Sequence, residues 1–186
     1  MRIVAGKLRG RILATPSDRS IRPTLDRVRE AIFNKLRHGI DGFDLAGCRV
    51  LDLFAGTGAL GLEALSEGAG FCLFVETDAA ARGLIRENIE QFGLTGVSKV
   101  FRRDATDLGP AGTLGEFRLL LLDPPYGQGL GERALAAAAA GGWLSNDAVA
   151  VLEESAEACI AVPSAFVELD RRSYGDTQVV YLRCRA

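Results

Sequence analysis

Short apolar runs alternate with amphipathic stretches along most of this chain. Strands are predicted at 49–53, 71–76, 98–102, 117–122, 147–153, 165–172 and 177–184. Helical spacing of apolar positions predicts helices over 25–37, 59–67, 79–92 and 129–141, with a further short helix at 155–159. Strands that alternate with helices form a mostly parallel sheet whose two faces are both covered. We therefore predict an α/β, Rossmann-like sheet of seven strands flanked by helices.

The two ends of the chain modify this pattern. The tight turn Tyr174-Gly175-Asp176 joins the last two predicted strands, so the last strand should run antiparallel to its neighbour. Two β-prone runs with glycine-bearing turns precede the first helix and predict a small hairpin. We expect two units, a basic N-terminal hairpin extension at 1–24 and a single compact domain at 25–186.

Charge is distributed unevenly. The whole chain has a net charge of −2, but residues 1–37 contain ten Lys/Arg and three Asp/Glu, a net +7 that leaves −9 for the remainder. A basic head on an acidic body indicates a surface that docks on a polyanion, although a solvated amphipathic segment would have similar charges. The cations that we expect at a nucleic acid are Arg2, Lys7, Arg9, Arg11 and Arg27.

Size and composition limit the remaining classes. The 186 residues, 48% of them hydrophobic, suffice for one folded domain, and no apolar run is long enough to span a bilayer. The first residues lack the apolar core of a secretory signal, so we expect a cytoplasmic location and no membrane partner. Four scattered cysteines and one histidine make a zinc site improbable, and no metal is expected.

A glycine loop follows the first predicted strand. The stretch from Val50 to Gly61 reads as strand, glycine-bearing loop and helix, which brings free backbone N–H groups close to a ligand. Its glycines also satisfy the GxGxxG pattern of dinucleotide sites, and Glu76 follows Gly56 by 20 residues. This motif alone does not separate NAD from another nucleoside cofactor.

Acidic residues stand at the ends of three successive strands. Asp52 could face a positively charged ligand, Glu76 could bind both hydroxyls of a ribose, and Asp104 could meet an adenine amino group. S-adenosylmethionine (SAM) carries a sulfonium and an ammonium but no phosphate, so an acidic pocket suits it better than a dinucleotide. Each acid alone could equally be a helix cap or a surface charge.

The tetrapeptide Asp123-Pro124-Pro125-Tyr126 follows an apolar strand directly. Neither proline can donate to a central strand, so this segment is predicted to be a stiff loop at the carboxyl end of the sheet, where α/β folds bind ligands. A carboxylate, rigid backbone carbonyls and an aromatic face together suit a planar group that carries an NH2. The simpler alternative is a proline-rich turn.

Together these motifs resemble those of class I SAM-dependent methyltransferases that modify amino nitrogens on planar systems. More narrowly, Arg22-Pro23-Thr24, the stretch from Asp26 to Glu30 and Tyr174-Gly175-Asp176-Thr177 resemble the bacterial 16S ribosomal RNA guanine-N2 methyltransferases of the RsmD type, over nearly the whole chain. The resemblance implies methyl transfer from SAM to the exocyclic N2 of a guanine, within a partly assembled small ribosomal subunit. We expect the protein to act as a monomer.

The resemblance also implies a set of site residues. The catalytic segment would be Asp123, Pro124, Pro125 and Tyr126. The expected cofactor-binding residues are Arg22, Pro23, Thr24, Asp52, Phe54, Ala55, Gly56, Thr57, Gly58, Glu76, Thr77, Asp104 and Ala105.

Four other functions stay open at this point. Methylation of adenine N6 in DNA generally needs a target-recognition insertion, for which this chain has no room. Methylation of a protein glutamine is usually accompanied by Asn in place of Asp123. An NAD-dependent oxidoreductase would leave Asp123 to Tyr126 and the basic head unexplained. A non-catalytic RNA-binding protein would not need Asp123 or Tyr126.

Overall fold

The computed structural model describes residues 1–16 and 23–185, with side chains from residue 26 onward in the second range. Its strands are β1 (Arg49–Leu53), β2 (Phe71–Val75), β3 (Ser98–Phe101), β4 (Phe117–Leu122), β5 (Leu144–Ser155), β6 (Phe166–Tyr174) and β7 (Thr177–Cys184). Its α-helices are α1 (Pro23–His38), α2 (Ala59–Ser66), α3 (Ala79–Gln91) and α4 (Leu130–Ala140).

All seven strands form one sheet in the order β3-β2-β1-β4-β5-β7-β6. Strands β1 to β5 pair in parallel, whereas β7 runs antiparallel to both β5 and β6. The predicted α/β class and the antiparallel last strand are thereby confirmed. The order in which strands are added to the sheet reverses at β1, since β2 lies on one side of β1 and β4 on the other. Such a switch point opens a crevice at the carboxyl ends of the strands.

One predicted helix is wrong. Residues 155–159 form the end of β5 and a turn, because the ladder with β7 continues as far as the pair Ser155–Thr177. The Gln178 side chain then donates to the carbonyls of Ser155 (2.7 Å) and Ala158 (2.8 Å), which stabilises the turn. Strand β5 also begins at Leu144, three residues before the predicted start at 147. Long-range pairing here overrides the local preference.

The core lies on both faces of the sheet. Strands β1 and β4 are apolar and largely buried, as expected of central parallel strands. Trp143 is fully buried between α4 and β4, and its Nε1 donates to the carbonyl of Gly109 at 2.7 Å. Among the described residues, no helix is both long and apolar enough to cross a bilayer.

The N-terminal residues form a hairpin that packs on α2. Arg2 and Ile12 make an antiparallel bridge, and the Leu13 amide donates to the Met1 carbonyl at 3.1 Å. The Glu63 carboxylate of α2 accepts from the amides of Val4 (3.0 Å) and Ala5 (2.7 Å). The hairpin is therefore attached to the helix that follows the glycine loop.

Arg29 differs from the expectation for its helix. The helical spacing of Val28, Ile32 and Leu36 predicts that Arg29 lies on the polar face of this helix, but the residue is only 3% exposed. Its Nε donates to Glu63 at 3.0 Å, and its guanidinium also reaches Asp26 and the Arg2 carbonyl. A charge buried in this way needs partners on several sides. Arg29 consequently joins α1, α2 and the hairpin instead of facing a ligand.

Candidate active site

A cavity of about 290 Å³ opens at the carboxyl ends of β1 to β4. Four loops contribute to its wall, one after each of these strands. The predicted site residues that line it are Phe54, Glu76, Thr77, Asp104, Ala105 and Pro125. Residues from four separate predicted strand ends are thus brought to one place, because parallel strands end at the same edge of the sheet.

Glu76 organises the glycine loop. Its Oε2 accepts from the amide of Gly56 at 2.9 Å, and its Oε1 accepts from the amide of Asp78 at 2.8 Å. Each carboxylate oxygen retains further capacity as an acceptor. Phe54 adopts a positive φ of 58°, which is uncommon for a bulky residue and marks a backbone conformation enforced by its surroundings.

Asp52 lies beneath the loop, and the cavity wall does not include it. It is 1% exposed, and its Oδ2 accepts from the amide of Gly61 at 2.9 Å. Burial raises the pKa of Asp52 to about 8; the Gly61 hydrogen bond opposes this rise, and the charge of Glu76 adds to it. The structure thus gives Asp52 a bracing contact at the start of α2.

Asp104 presents an ionised carboxylate to the cavity. Its Oδ1 accepts from the amide and the hydroxyl of Thr106, each at 2.8 Å. These hydrogen bonds favour the charged form and lower the pKa of Asp104. Two arginines missed by the sequence analysis, Arg103 and Arg133, also line the cavity, but they donate to the Leu108 carbonyl and the Thr106 hydroxyl.

The other predicted cofactor residues belong to the glycine loop, which does not line the cavity beyond Phe54, or lie outside the described side chains. Ala55 is buried and its amide donates to the Val75 carbonyl at 3.2 Å, and Gly58 caps the N-terminus of α2 with a φ of 80°. The carbonyl of Thr57 accepts from Asn88 of α3. Arg22 falls outside the described residues. Pro23 and Thr24 begin α1, and their side chains are not described.

The Asp123–Tyr126 loop starts where β4 ends. Asp123 is exposed, and no described side chain or backbone group donates a hydrogen bond to its carboxylate. Crowding by protein atoms, together with the charges of Glu153, Asp52 and Glu154, raises the pKa of Asp123 well above its usual value. Solvent at its exposed side moderates this effect. Pro124 is buried, and Pro125 lines the cavity.

Tyr126 has an exposed ring and an anchored hydroxyl. The residue is 39% exposed, yet its hydroxyl donates to Glu153 Oε1 at 2.7 Å and lies 3.3 Å from the hydroxyl of Thr177. Burial of the hydroxyl raises the pKa of Tyr126, so it stays a neutral donor. The Tyr126 side chain, three residues after Asp123, is therefore partly open to solvent while its hydroxyl is anchored.

Sequence reasoning missed Glu153 and Glu154. Both end the buried part of β5, and Glu154 Oε1 accepts from the amide of Gly127 at 2.9 Å. Burial raises the pKa of Glu153, against the influence of its Tyr126 hydrogen bond and of Arg29. The signal was present in the sequence: two consecutive acids follow the apolar run from Ala148 to Leu152 at a strand end.

Within the part of the chain that is described, no three acids, histidines or cysteines are grouped so as to hold a metal ion.

The cations expected at a nucleic acid are all at the surface. Arg2, Lys7, Arg9 and Arg27 are exposed and form no ion pair with any described residue. Arg11 is exposed as well; its guanidinium donates to the Gln91 carbonyl at 3.0 Å and lies 5.3 Å from the centre of the Phe92 ring. These side chains are available to a polyanion.

Comparison with known proteins identifies relatives over nearly the full length. Residues 1–183 match the family described as Conserved hypothetical protein 95. Ribosomal RNA small subunit methyltransferase D of Escherichia coli is 35% identical to this chain, and the match covers 84% of this chain and 76% of that protein. The methyltransferase of the same name from Haemophilus influenzae is 30% identical, and the match covers 94% of this chain and 89% of that protein. The solved structure of yhhF of Escherichia coli, described as a putative methyltransferase, has a TM-score of 0.84 and 28% identity, and the match covers 100% of this chain and 98% of that one.

Proposed function

This chain belongs to the Conserved hypothetical protein 95 family, the RsmD-type ribosomal RNA methyltransferases, and from that premise we propose that it methylates the exocyclic N2 of a guanine in 16S ribosomal RNA. The observation that supports this most directly is an unbonded carboxylate, Asp123, in the same short loop as the partly exposed Tyr126 and as Pro125, which lines the cavity. This pair is suited to an aromatic amine. The names of the relatives support ribosomal RNA as the substrate class, and Asp123 supports the amino group as the target.

We further propose that the cavity binds SAM, which when bound supplies the methyl group. Glu76 and Asp104 put two carboxylates on the cavity wall, where they could accept hydrogen bonds from ribose hydroxyls and an adenine amino group, while the two arginines of the wall donate to the Leu108 carbonyl and the Thr106 hydroxyl. In this assignment Glu76 binds the ribose hydroxyls, Asp104 meets the adenine edge, and Asp52 braces the glycine loop through Gly61. The family resemblance adds Arg22, Pro23 and Thr24 as residues that lie over the cofactor.

Asp123 activates the acceptor nitrogen. The lone pair of a guanine amino group is delocalised into the ring, so the nitrogen is a weak nucleophile. Asp123 and a carbonyl of the proline segment accept its two N–H bonds, which favours a tetrahedral nitrogen and stabilises the positive charge that develops on it. One of these protons must leave as the N–C bond forms. The exposed carboxylate of Asp123, to which no described group donates a hydrogen bond, is available to accept that proton.

Tyr126 and the basic hairpin position the RNA. Stacking of a base on the Tyr126 ring fixes the plane of its amino group, a contact worth roughly 1–3 kcal/mol. The base must be unpaired or flipped out to enter this site. The exposed cations Arg2, Lys7, Arg9, Arg11 and Arg27 hold the surrounding phosphates. The proposed partner is 16S ribosomal RNA in an assembling small subunit, bound by a monomer of this chain.

The chemistry is tested with Asp123→Ala, assayed on small subunits from cells that lack this methyltransferase. We expect the rate of methyl transfer to fall by roughly 100-fold or more, with little change in SAM affinity by calorimetry. Asp107→Ala is the matched control, because Asp107 is an exposed acid outside the cavity wall. Mass spectrometric mapping of the product identifies the modified atom. Methylation at any position other than a guanine N2, or a near-normal rate for Asp123→Ala, would contradict the proposal.

The RNA assignment is tested separately with Arg9→Glu combined with Arg11→Glu. This variant should raise the KM for RNA through the loss of phosphate contacts. SAM affinity should stay the same, because neither arginine lines the cofactor cavity. Arg172→Glu on the edge strand β6 is the control for reversal of an exposed charge outside the hairpin. Simultaneous loss of SAM binding would indicate misfolding instead.

A further inference from the structure

The Tyr126 side chain is held at its far end only. Its ring is open to solvent, while the hydroxyl reaches into the protein and donates to Glu153 Oε1 at 2.7 Å. The Thr177 hydroxyl lies 3.3 Å away on the neighbouring strand. Anchoring the hydroxyl oxygen fixes χ1 of the tyrosine. Because a phenolic O–H prefers to lie in the plane of its ring, the position of Glu153 Oε1 also favours one rotation of the ring about its long axis.

Glu153 is an unusual residue for its position. It stands on β5 opposite Val179 of β7, within the paired part of the sheet, and is only 5% exposed. Among the described residues, Tyr126 is the one group that donates a hydrogen bond to its carboxylate. A buried carboxyl is costly, and an apolar side chain of similar volume would serve stability at least as well. Stability alone therefore does not account for an acid here.

The adjacent acid secures the other side of the same loop. Glu154 Oε1 accepts from the Gly127 amide at 2.9 Å and from its own neighbour Ser155 at 2.7 Å. Successive residues of a strand point to opposite faces. The two acids thus reach the loop from both faces of β5, one at the Tyr126 side chain and the other at the backbone that follows it.

We propose that Glu153 is a positioning residue of the methyl transfer, because its carboxylate anchors the Tyr126 hydroxyl and so sets the plane on which the target base stacks. This inference rests on the proposed function, in which Tyr126 contacts the base. Glu153 contacts Tyr126 and does not touch the base. Its charge also adds to the burial that raises the pKa of Asp123, and Glu153→Gln, which loses the charge but keeps an acceptor for the hydroxyl, separates the two effects. The effect of losing Glu153 should accordingly appear in the use of the RNA substrate and leave cofactor binding unchanged.

A double-mutant cycle tests this role with Glu153→Ala, Tyr126→Phe and the double variant. Glu153→Ala should lower kcat/KM for RNA by roughly 10-fold, the scale of one lost hydrogen bond, mainly through KM, at unchanged SAM affinity. Tyr126→Phe removes the same bond from the exposed partner and should have a similar effect. The double variant should then be no worse than either single variant. Glu153→Gln should restore activity, because its amide oxygen still accepts from the hydroxyl.

The contact is also measured without any substrate, by NMR of protein labelled at the tyrosine rings. The Tyr126 ring signals should shift and average in Glu153→Ala and stay near their wild-type positions in Glu153→Gln. If Glu153→Ala does not fold, Tyr126→Phe carries the kinetic test. Multiplicative losses in the double variant, an unchanged KM in Tyr126→Phe, or unchanged ring signals in Glu153→Ala would each overturn the proposal.

Failure of the proposed function gives a different result. If the wild-type protein methylates another amino substrate, mass spectrometry reports this, and the same cycle run on that substrate still decides the role of Glu153. If guanine N2 is the target and the cycle is additive, only the Glu153 inference fails.

Discussion

Asn88 and Ala14 hold each other by hydrogen bonds in both directions. The Ala14 amide donates to Asn88 Oδ1 at 2.7 Å, and Asn88 Nδ2 donates back to the Ala14 carbonyl at 3.2 Å. The same Nδ2 lies 3.3 Å from the Thr57 carbonyl of the glycine loop. Because Asn88 is fully buried on α3, it links the end of the basic hairpin segment to the candidate cofactor loop.

Replacing Asn88 with Ala should therefore weaken both the fold and the cofactor loop. Two part-buried backbone groups of Ala14 lose their partner, which lowers the free energy of unfolding by about 1 kcal/mol. Urea denaturation measures this loss, and calorimetry should show weaker SAM binding. Gln91→Ala, an exposed change at the end of the same helix, should leave both quantities unchanged. Equal behaviour of the two variants would refute the link.

The buried pair Arg29–Glu63 should contribute far more to stability than its exposed neighbour in α1. Arg29→Met leaves the Glu63 carboxylate in the core without its cation, and removal of one partner of a buried pair costs about 3–5 kcal/mol. Arg27→Met changes an exposed arginine two residues earlier and should cost little. Thermal or urea denaturation compares the two. A small loss for Arg29→Met would show that Glu63 is satisfied by the hairpin amides alone.

Gly61 and Gly83 offer a matched comparison of helical glycines. A Cβ at Gly61 would lie 2.4 Å from the Phe74 ring and 2.6 Å from the Cys72 sulfur, whereas a Cβ at Gly83 would meet nothing within 4 Å. Gly61→Ala should destabilise the protein by about 1–3 kcal/mol through overpacking and disturb the Asp52 contact. Gly83→Ala should stabilise it by up to about 1 kcal/mol through helix propensity. Urea or thermal denaturation measures both variants. A shift of both denaturation curves in the same direction from that of the wild type would contradict this prediction.

Asp52 should make stability depend on pH. Its folded pKa of about 8 lies above the ordinary value of 3.8, so the folded state holds the proton more tightly than the unfolded state. The stabilisation that comes from the protonated Asp52 carboxyl is then complete below the pKa of the unfolded state and is lost as the pH rises through the pKa of the folded state. Asp52→Asn keeps an oxygen for Gly61 and cannot ionise. The urea midpoint of Asp52→Asn should rise relative to that of the wild type as the pH increases from about 5 to about 8. A constant difference between the two midpoints over this range would refute the raised pKa of Asp52.

Much of the candidate site was predictable because strand ends are predictable. Apolar runs marked β1, β2 and β4 within a residue or so, and in a parallel sheet the residues after such runs share one edge. Glu76, Asp104 and Pro125 were placed on this basis and do line one cavity. Asp52 shows the limit of the argument. Its position in the chain was clear, but the face of β1 on which its side chain lies depends on packing against Gly61.

Local pattern alone therefore determined the α/β class, the glycine loop and the location of Asp123 to Tyr126, because periodicity and proline stiffness act over a few neighbouring residues. Only the tertiary structure decided that Arg29 is buried against Glu63, that Asn88 joins Ala14 to Thr57, and that Glu153 anchors Tyr126. These contacts join residues 27 to 74 positions apart. Such pairs meet only after the sheet has assembled, so no local pattern of the sequence records them.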